Sequence, residues 1–173
     1  MHTDMSHNAD FKRRIAAREV LLGAFIKTPH PMVIEIMGGS AFDFLILDCE
    51  HAPFDRSAID TAMIAGRATG CPLLVRVPHG DASTILGILD SGAAGVMVPH
   101  VTSAGQAEAL VRALRYGPGG RGFAGTTRAA HYGGRTLKEH LAATADDVSL
   151  FCQIEEPEGV ENAEAIAAVD GVD

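Results

Sequence analysis

The sequence predicts an α/β fold built on a parallel sheet, and three observations carry that expectation. The runs FLIL, LLV and VMV are near-continuously apolar rather than alternating, as in strands buried on both faces. Each is followed by a stretch long enough for a helical crossover, which a parallel connection requires. Helical stretches close on glycine, as in ATG and DSG, which suits a left-handed C-cap.

The elements follow in order. LLGAFI (21–26) reads as the first strand, and after a polar turn MVIEIMGG reads as helix. FDFLILD (42–48) is the second strand, followed by the helix SAIDTAMIAGRATG. PLLVRV (72–77) is the third strand, followed by ASTILGILDSG. AGVMVPHV carries the fourth strand, with AGQAEALVRALRYG as its helix. The glycine-rich stretch GPGGRG comes next, then a short helical piece near LKEHLAATA. SLFCQIE (149–155) is the fifth strand, and EGVENAEAIAAVDGVD begins one further helix. No linker, low-complexity tract or repeat appears beyond this βα rhythm. The expected organisation is an N-terminal extension with a lead-in helix over 1–20 and one α/β domain over 21–173.

Composition narrows the function classes. The chain has 173 residues, 47% of them hydrophobic and 21% charged, enough for one globular core. A formal net charge of −8 argues against nucleic acid and anionic membrane as partners. No apolar run is long enough to span a bilayer. The polar start MHTDMSHNADFKRR lacks the apolar core of a secretory signal, so the expected location is cytoplasmic. Cys49, Cys71 and Cys152 are odd in number, show no CxxC spacing and sit in or beside apolar runs. The expectation is reduced, mostly buried thiols rather than disulfides or a zinc site.

Periodicity alone does not decide between a barrel and an open doubly wound sheet. A dinucleotide-binding sheet would carry GxGxxG after its first strand, but that loop reads KTPHPMV. GPGGRG follows a helix and lacks the GK[ST] ending of a phosphate loop, so it reads as a surface loop or an anion contact.

The carboxyl ends of the strands collect chemistry-bearing residues. The second strand ends in Asp48, Cys49, Glu50 and His51, and the third carries Arg76 inside VRV. The fourth runs into Pro99 and His100, and the fifth into Gln153, Glu155 and Glu156. Charged groups leave water reluctantly, so several at one mouth point to a site. Asp90 stands in the last turn of a helix, facing the negative end of its dipole, which calls for a cationic or imidazole partner.

The segments DFLILDCEHAPFD, PLLVRVP, ILDSGAAGVMVPHV, GPGGRG and FCQIEEPEGVEN resemble the HpcH/HpaI aldolases, class II enzymes that make and cleave bonds to pyruvate. The resemblance runs from residue 21 to the last residue. It implies a (β/α)8 TIM barrel, of which this chain supplies about the first five βα units. His51, in the D-x-E-H motif, is then the acid/base, and Asp48 of the same motif is a supporting group. Arg76 stabilises the enolate, and Asp90 raises the basicity of His51. Gln153 contacts substrate, and Glu155 contacts metal. The implied cofactor is a divalent cation, Mg2+ or Mn2+, with Co2+ a further candidate. Partners are a 2-oxo acid and an aldehyde such as succinic semialdehyde or a sugar-derived hydroxyaldehyde. A homo-oligomer, hexameric in the family, is implied as well.

The family's second metal carboxylate lies in a G-P-x-D motif at the sixth strand. This chain reaches Val172 and Asp173 where that strand is expected to begin, so the ligand is not assigned to Asp173. Residues 1–173 are accordingly expected to be the N-terminal part of a longer protein. Two alternatives stand beside this reading. One is a Schiff-base aldolase using Lys27, at the end of the first strand. The other is a barrel fragment with a structural or interaction role.

Overall fold

The computed structural model of the protein describes residues 6–173; of the expected N-terminal extension, residues 1–5 lie outside the described residues. Five strands form one sheet: β1 (Gly23–Ile26), β2 (Phe44–Asp48), β3 (Leu73–Arg76), β4 (Gly95–Val98) and β5 (Ser149–Cys152). All neighbouring pairs are parallel, and the strand order follows the chain. The helices are α1 (His7–Ala16), α2 (Pro31–Gly38), α3 (Arg56–Thr69), α4 (Ala82–Asp90), α5 (Ala104–Leu114), α6 (Leu137–Asp147), α7 (Pro157–Glu161) and α8 (Ala163–Ala167).

The choice left open by periodicity is decided by order and sidedness. A doubly wound sheet reverses its strand order and carries helices on both faces. Here the order never reverses, and right-handed crossovers then put α2 to α5 on one face. The core agrees. Ile34, Met63, Ile85 and Leu110 of α2 to α5 pack on Leu45, Leu47, Val75 and Val98. The alternate strand residues Ile46, Leu74, Met97 and Phe151 point to the opposite, concave face, where Phe11 and Ile15 of α1 meet them. Phe11 lies 5.1 Å from the Phe44 ring and 6.4 Å from that of Phe151, closing the amino end of the concave face. This is the arrangement of a (β/α) barrel wall.

Local chemistry sets the helix boundaries. Asp55 and Asp81 cap α3 and α4 through the amides of Ala58 and Thr84. Ser103 with Gln106 and Thr136 with Glu139 form capping boxes at α5 and α6. Gly70 ends α3 in the left-handed region at φ 72°, as its position after the helix requires. At Gly95 an added Cβ would lie 2.1 Å from the Ser149 carbonyl oxygen, so only glycine lets β4 and β5 pair there.

One expectation changes and one is borne out. The helix predicted after the fifth strand is split into α7 and α8 at Asn162, whose side chain turns away to donate to the Thr102 carbonyl at 2.9 Å. The piece around LKEHLAATA is an 11-residue helix, α6, packed beside α1 at the amino end of the sheet, with Lys12 Nζ donating to the Val148 carbonyl at 2.5 Å. Asp173 donates its amide to the Leu150 carbonyl at 2.9 Å, beside the amino end of β5 and away from the carboxyl ends. Among the described residues no helix is long and apolar enough to cross a membrane.

Candidate active site

The carboxyl ends of β2 and β3 deliver Asp48 and Arg76 to register-paired positions on the concave face. Asp48 is fully buried, and Arg76 clamps it with two bonds, Nη2 to Oδ2 at 2.8 Å and Nε to Oδ1 at 3.1 Å. Burial by itself would raise the Asp48 carboxyl. The Arg76 hydrogen bonds, the His51 amide at 3.1 Å, the Arg76 charge and Lys27 outweigh it and hold the carboxyl at about 2. Arg76 is raised in turn, chiefly by its hydrogen bond to Asp48. Its guanidinium also lies 4.8 Å from the Phe25 ring, a cation–π contact that fixes the plane.

The same mouth gathers the residues after β4 and β5. Gln153 Oε1 stands 3.5 Å from Arg76 Nη1, and Gln153 Nε2 donates to Glu155 Oε2 at 2.6 Å. His100 adopts φ 58°, which swings its amide onto Glu155 Oε1 at 3.0 Å. Its ring bridges Glu156, at 3.0 Å, and Glu50, at 3.4 Å. His51 projects from the turn after β2, 61% exposed, with Nε2 3.7 Å from Glu50 Oε1. Asp48, His51, Arg76, Gln153 and Glu155 are therefore brought together. Glu50 and His100 belong with them, although the sequence only placed them at the strand ends. Their signal was the third letter of DCEH and the histidine directly after VMVP.

The donors fit a hard divalent cation. Glu50 Oε2 is buried without a hydrogen-bond partner among the described residues, its contact with Arg76 Nε at 3.3 Å being an ion pair without hydrogen-bond alignment. Glu155 offers a second carboxylate at the same mouth, and carboxylate oxygens suit Mg2+ or Mn2+ rather than a soft metal. Among the described residues no three histidine, cysteine or acidic side chains converge into a ready coordination set.

Asp90 stands elsewhere, apart from the other candidate site residues within one chain. Helix α4 runs back from the carboxyl to the amino end of the sheet, so its last turn arrives at the entry to β4, opposite His51. Asp90 takes its cationic partner there, Arg121 Nη2 at 2.6 Å. Within one chain it does not touch His51. Arg121 is the arginine of GPGGRG; Gly117, Pro118, Gly119 and Gly122 lie at the surface as expected, while the Arg121 side chain turns inward and is 1% exposed.

Lys27 does reach the site, with Nζ 3.4 Å from Asp48 Oδ2, yet its side chain is 58% exposed. A Schiff-base lysine needs a desolvated, unprotonated amine, and an exposed ammonium facing a carboxylate is the opposite environment. All three cysteines are free. Burial pushes the thiols of Cys71 and Cys152 up to about 11 and that of Cys49 to about 12, which removes them as nucleophiles.

A family model described as HpcH/HpaI aldolase/citrate lyase matches residues 21–173. A 4-hydroxy-2-oxovalerate aldolase of Novosphingobium aromaticivorans is 41% identical over 164 residues, covering 94% of this chain and 62% of that protein. A 5-keto-4-deoxy-D-glucarate aldolase of Escherichia coli (strain K12 / DH10B) is 35% identical, covering 100% of this chain and 67% of its own length. The crystal structure of a HpcH/HpaI aldolase/citrate lyase family protein from Burkholderia cenocepacia J2315 superposes with a TM-score of 0.88 at 33% identity, over 95% of this chain and 66% of that one. The chain thus spans about two thirds of the length of the relatives it matches.

Proposed function

Since this chain belongs to the HpcH/HpaI aldolase/citrate lyase family, we propose that it carries the catalytic face of a class II pyruvate aldolase. The reaction is reversible cleavage of a 4-hydroxy-2-oxo acid to pyruvate and an aldehyde. The observation that supports it is the chain of contacts Asp48–Arg76–Gln153–Glu155 at the carboxyl ends of the strands.

In cleavage the C4 hydroxyl loses its proton, the C3–C4 bond breaks, and the electron pair passes to the 2-oxo group as an enolate. Protonation of C3 then gives pyruvate. Asp48 occupies Nε and Nη2 of Arg76, which leaves Nη1, held only by the 3.5 Å contact to Gln153 Oε1, to meet the enolate oxygen where charge develops. His51, exposed at the mouth, takes the hydroxyl proton through water. The Gln153 amide, set between Arg76 and Glu155, orients the substrate carboxylate. Glu155, with Glu50 beside it, would hold a divalent cation, which as a Lewis acid polarises the 2-oxo oxygen. The role that the resemblance gives Asp90 beside His51 is open only across an interface with a second copy, because one chain places the two at opposite ends.

The names of the relatives supply the probes. 4-Hydroxy-2-oxovalerate and 5-keto-4-deoxy-D-glucarate share a 2-oxo acid with a hydroxyl two carbons away. Pyruvate release from either, abolished by EDTA and restored by Mg2+ or Mn2+, tests the reading; release that survives full metal removal overturns it.

A further inference from the structure

A cation-rich cavity lies at the end of the sheet that the aldol chemistry does not use. Between α3, α6 and the 115–135 segment there is a cavity of about 240 Å³. Arg67, Arg121, Arg128 and Arg135 line it, four of the fourteen lysines and arginines in a chain of net charge −8. Among the described lining residues Asp147 is the one carboxylate, and it is held by Ser6 and by Arg135 Nη1 at 3.5 Å. Asp90 and Asp60 each occupy one terminal nitrogen of Arg121 and Arg128, from outside the lining.

Two buried donors remain. Nε of Arg121 and Nε of Arg128 have no hydrogen-bond partner among the described residues, although their side chains are 1% and 10% exposed. A buried guanidinium N–H without an acceptor is costly, so such groups mark a place for water or a ligand. Arg67 faces the same space with no carboxylate within 4 Å among the described residues. The neighbouring imidazoles report the same field. Burial first, then Arg121 and Arg135, lowers His140; burial first, then Arg135 and Arg67, lowers His131. The cavity resists a further cation and is set to accept an anion.

Size limits the anion. At about 30 Å³ per water, the volume corresponds to roughly eight waters, too little for a nucleotide and enough for phosphate or a three- or four-carbon acid. We propose that this cavity is a second ligand site that binds a small oxyanion through the guanidinium groups of Arg67, Arg121, Arg128 and Arg135. It lies at the opposite end of the strands from Asp48 and Arg76, and its one link to the aldolase reading is Asp90, the carboxylate that holds Arg121.

The test uses the purified protein at constant ionic strength set by chloride, titrated calorimetrically with inorganic phosphate and separately with malonate. Saturable binding is expected, with a thermal midpoint that rises with anion concentration. Phosphate binding that malonate does not displace assigns a phosphate-type ligand, and displacement assigns a carboxylate-accepting site. Arg67→Gln and Arg135→Gln each remove a partly exposed charge and keep the Arg121–Asp90 and Arg128–Asp60 pairs, the second giving up the Arg135–Asp147 contact. Each should weaken the anion about tenfold, as loss of one charge-assisted contact does, with an unchanged circular dichroism spectrum. Absence of saturable binding by both anions overturns the proposal, as does wild-type affinity in a folded Arg67→Gln,Arg135→Gln double variant.

Discussion

Asp48 and Arg76 face each other across register-paired positions of β2 and β3, joined by Nη2–Oδ2 at 2.8 Å and Nε–Oδ1 at 3.1 Å. The two bonds fix the plane of the guanidinium and leave one edge for substrate. The same carboxylate receives the His51 amide, so one buried anion positions both the electrostatic stabiliser and the turn that carries the base.

Acid should weaken the fold through Asp48. Its folded carboxyl titrates at about 2, below the ordinary 3.8. A depressed carboxyl contributes stability that is present above its unfolded value and is lost as the pH falls through the folded one. The window is therefore about pH 4 to pH 2, and the contribution is on the order of 2 kcal/mol. Urea melts across that range should show the loss, and Asp48→Asn should be less stable at neutral pH with a flatter acid limb. Parallel acid limbs in the two proteins would show that another group governs the transition.

His51→Ala and Arg76→Ala should separate activity from stability. His51 is exposed and its ring lies 3.7 Å from Glu50 Oε1, so its loss should cost roughly 10²–10⁴-fold in kcat and little stability. Arg76→Ala should cost about 10²–10³-fold in kcat and also leave Asp48 buried without its main partner, a penalty of about 3 kcal/mol. Matched kinetics and denaturant melts would show the split. Near-normal kcat in His51→Ala would remove it as the base.

Asp90 and His51 can cooperate only between copies. An oligomer mixed from His51→Ala and Asp90→Asn chains would contain sites in which one copy supplies an intact His51 and the other an intact Asp90. Co-refolded mixtures should regain activity that neither variant shows alone. No gain on mixing, with Asp90→Asn folded and impaired, would place its effect in the Arg121 pair instead.

The sheet was legible because burial on both faces writes unbroken apolar runs such as FLIL, whose alternate residues now line two separate cores. Arg76 was legible as a charge inside an apolar strand. The need of Asp90 for a cationic or imidazole partner was legible from the helix dipole, whereas the identity of that partner was not. Arg121 lies 31 residues further on, in a glycine-rich stretch whose local composition signals exposure, and only tertiary packing buries it. The split between α7 and α8 was equally hidden, since it depends on the Thr102 carbonyl that draws the Asn162 side chain away. His100 lacked a role because its effect comes from a left-handed backbone that no residue type announced.

Metal dependence should divide the two carboxylates of the mouth. Glu155 accepts from Gln153 and from the His100 amide, so both of its oxygens are held in fixed directions. Glu50 has one oxygen buried without a hydrogen bond and the other beside two imidazoles. A hard cation gains from every added carboxylate oxygen, so loss of Glu155 should raise the metal concentration needed for half-maximal activity more than loss of Glu50. Glu155→Gln and Glu50→Gln are close in shape and differ from wild type in charge, which keeps folding comparable. Activity is followed as a function of free Mn2+, with direct metal binding read on the same samples by calorimetry. Borohydride treatment in the presence of pyruvate should leave Lys27 unmodified by mass spectrometry, since its exposed ammonium faces Asp48. Metal-independent turnover together with a reduced pyruvyl adduct on Lys27 would replace the metal mechanism by the imine one.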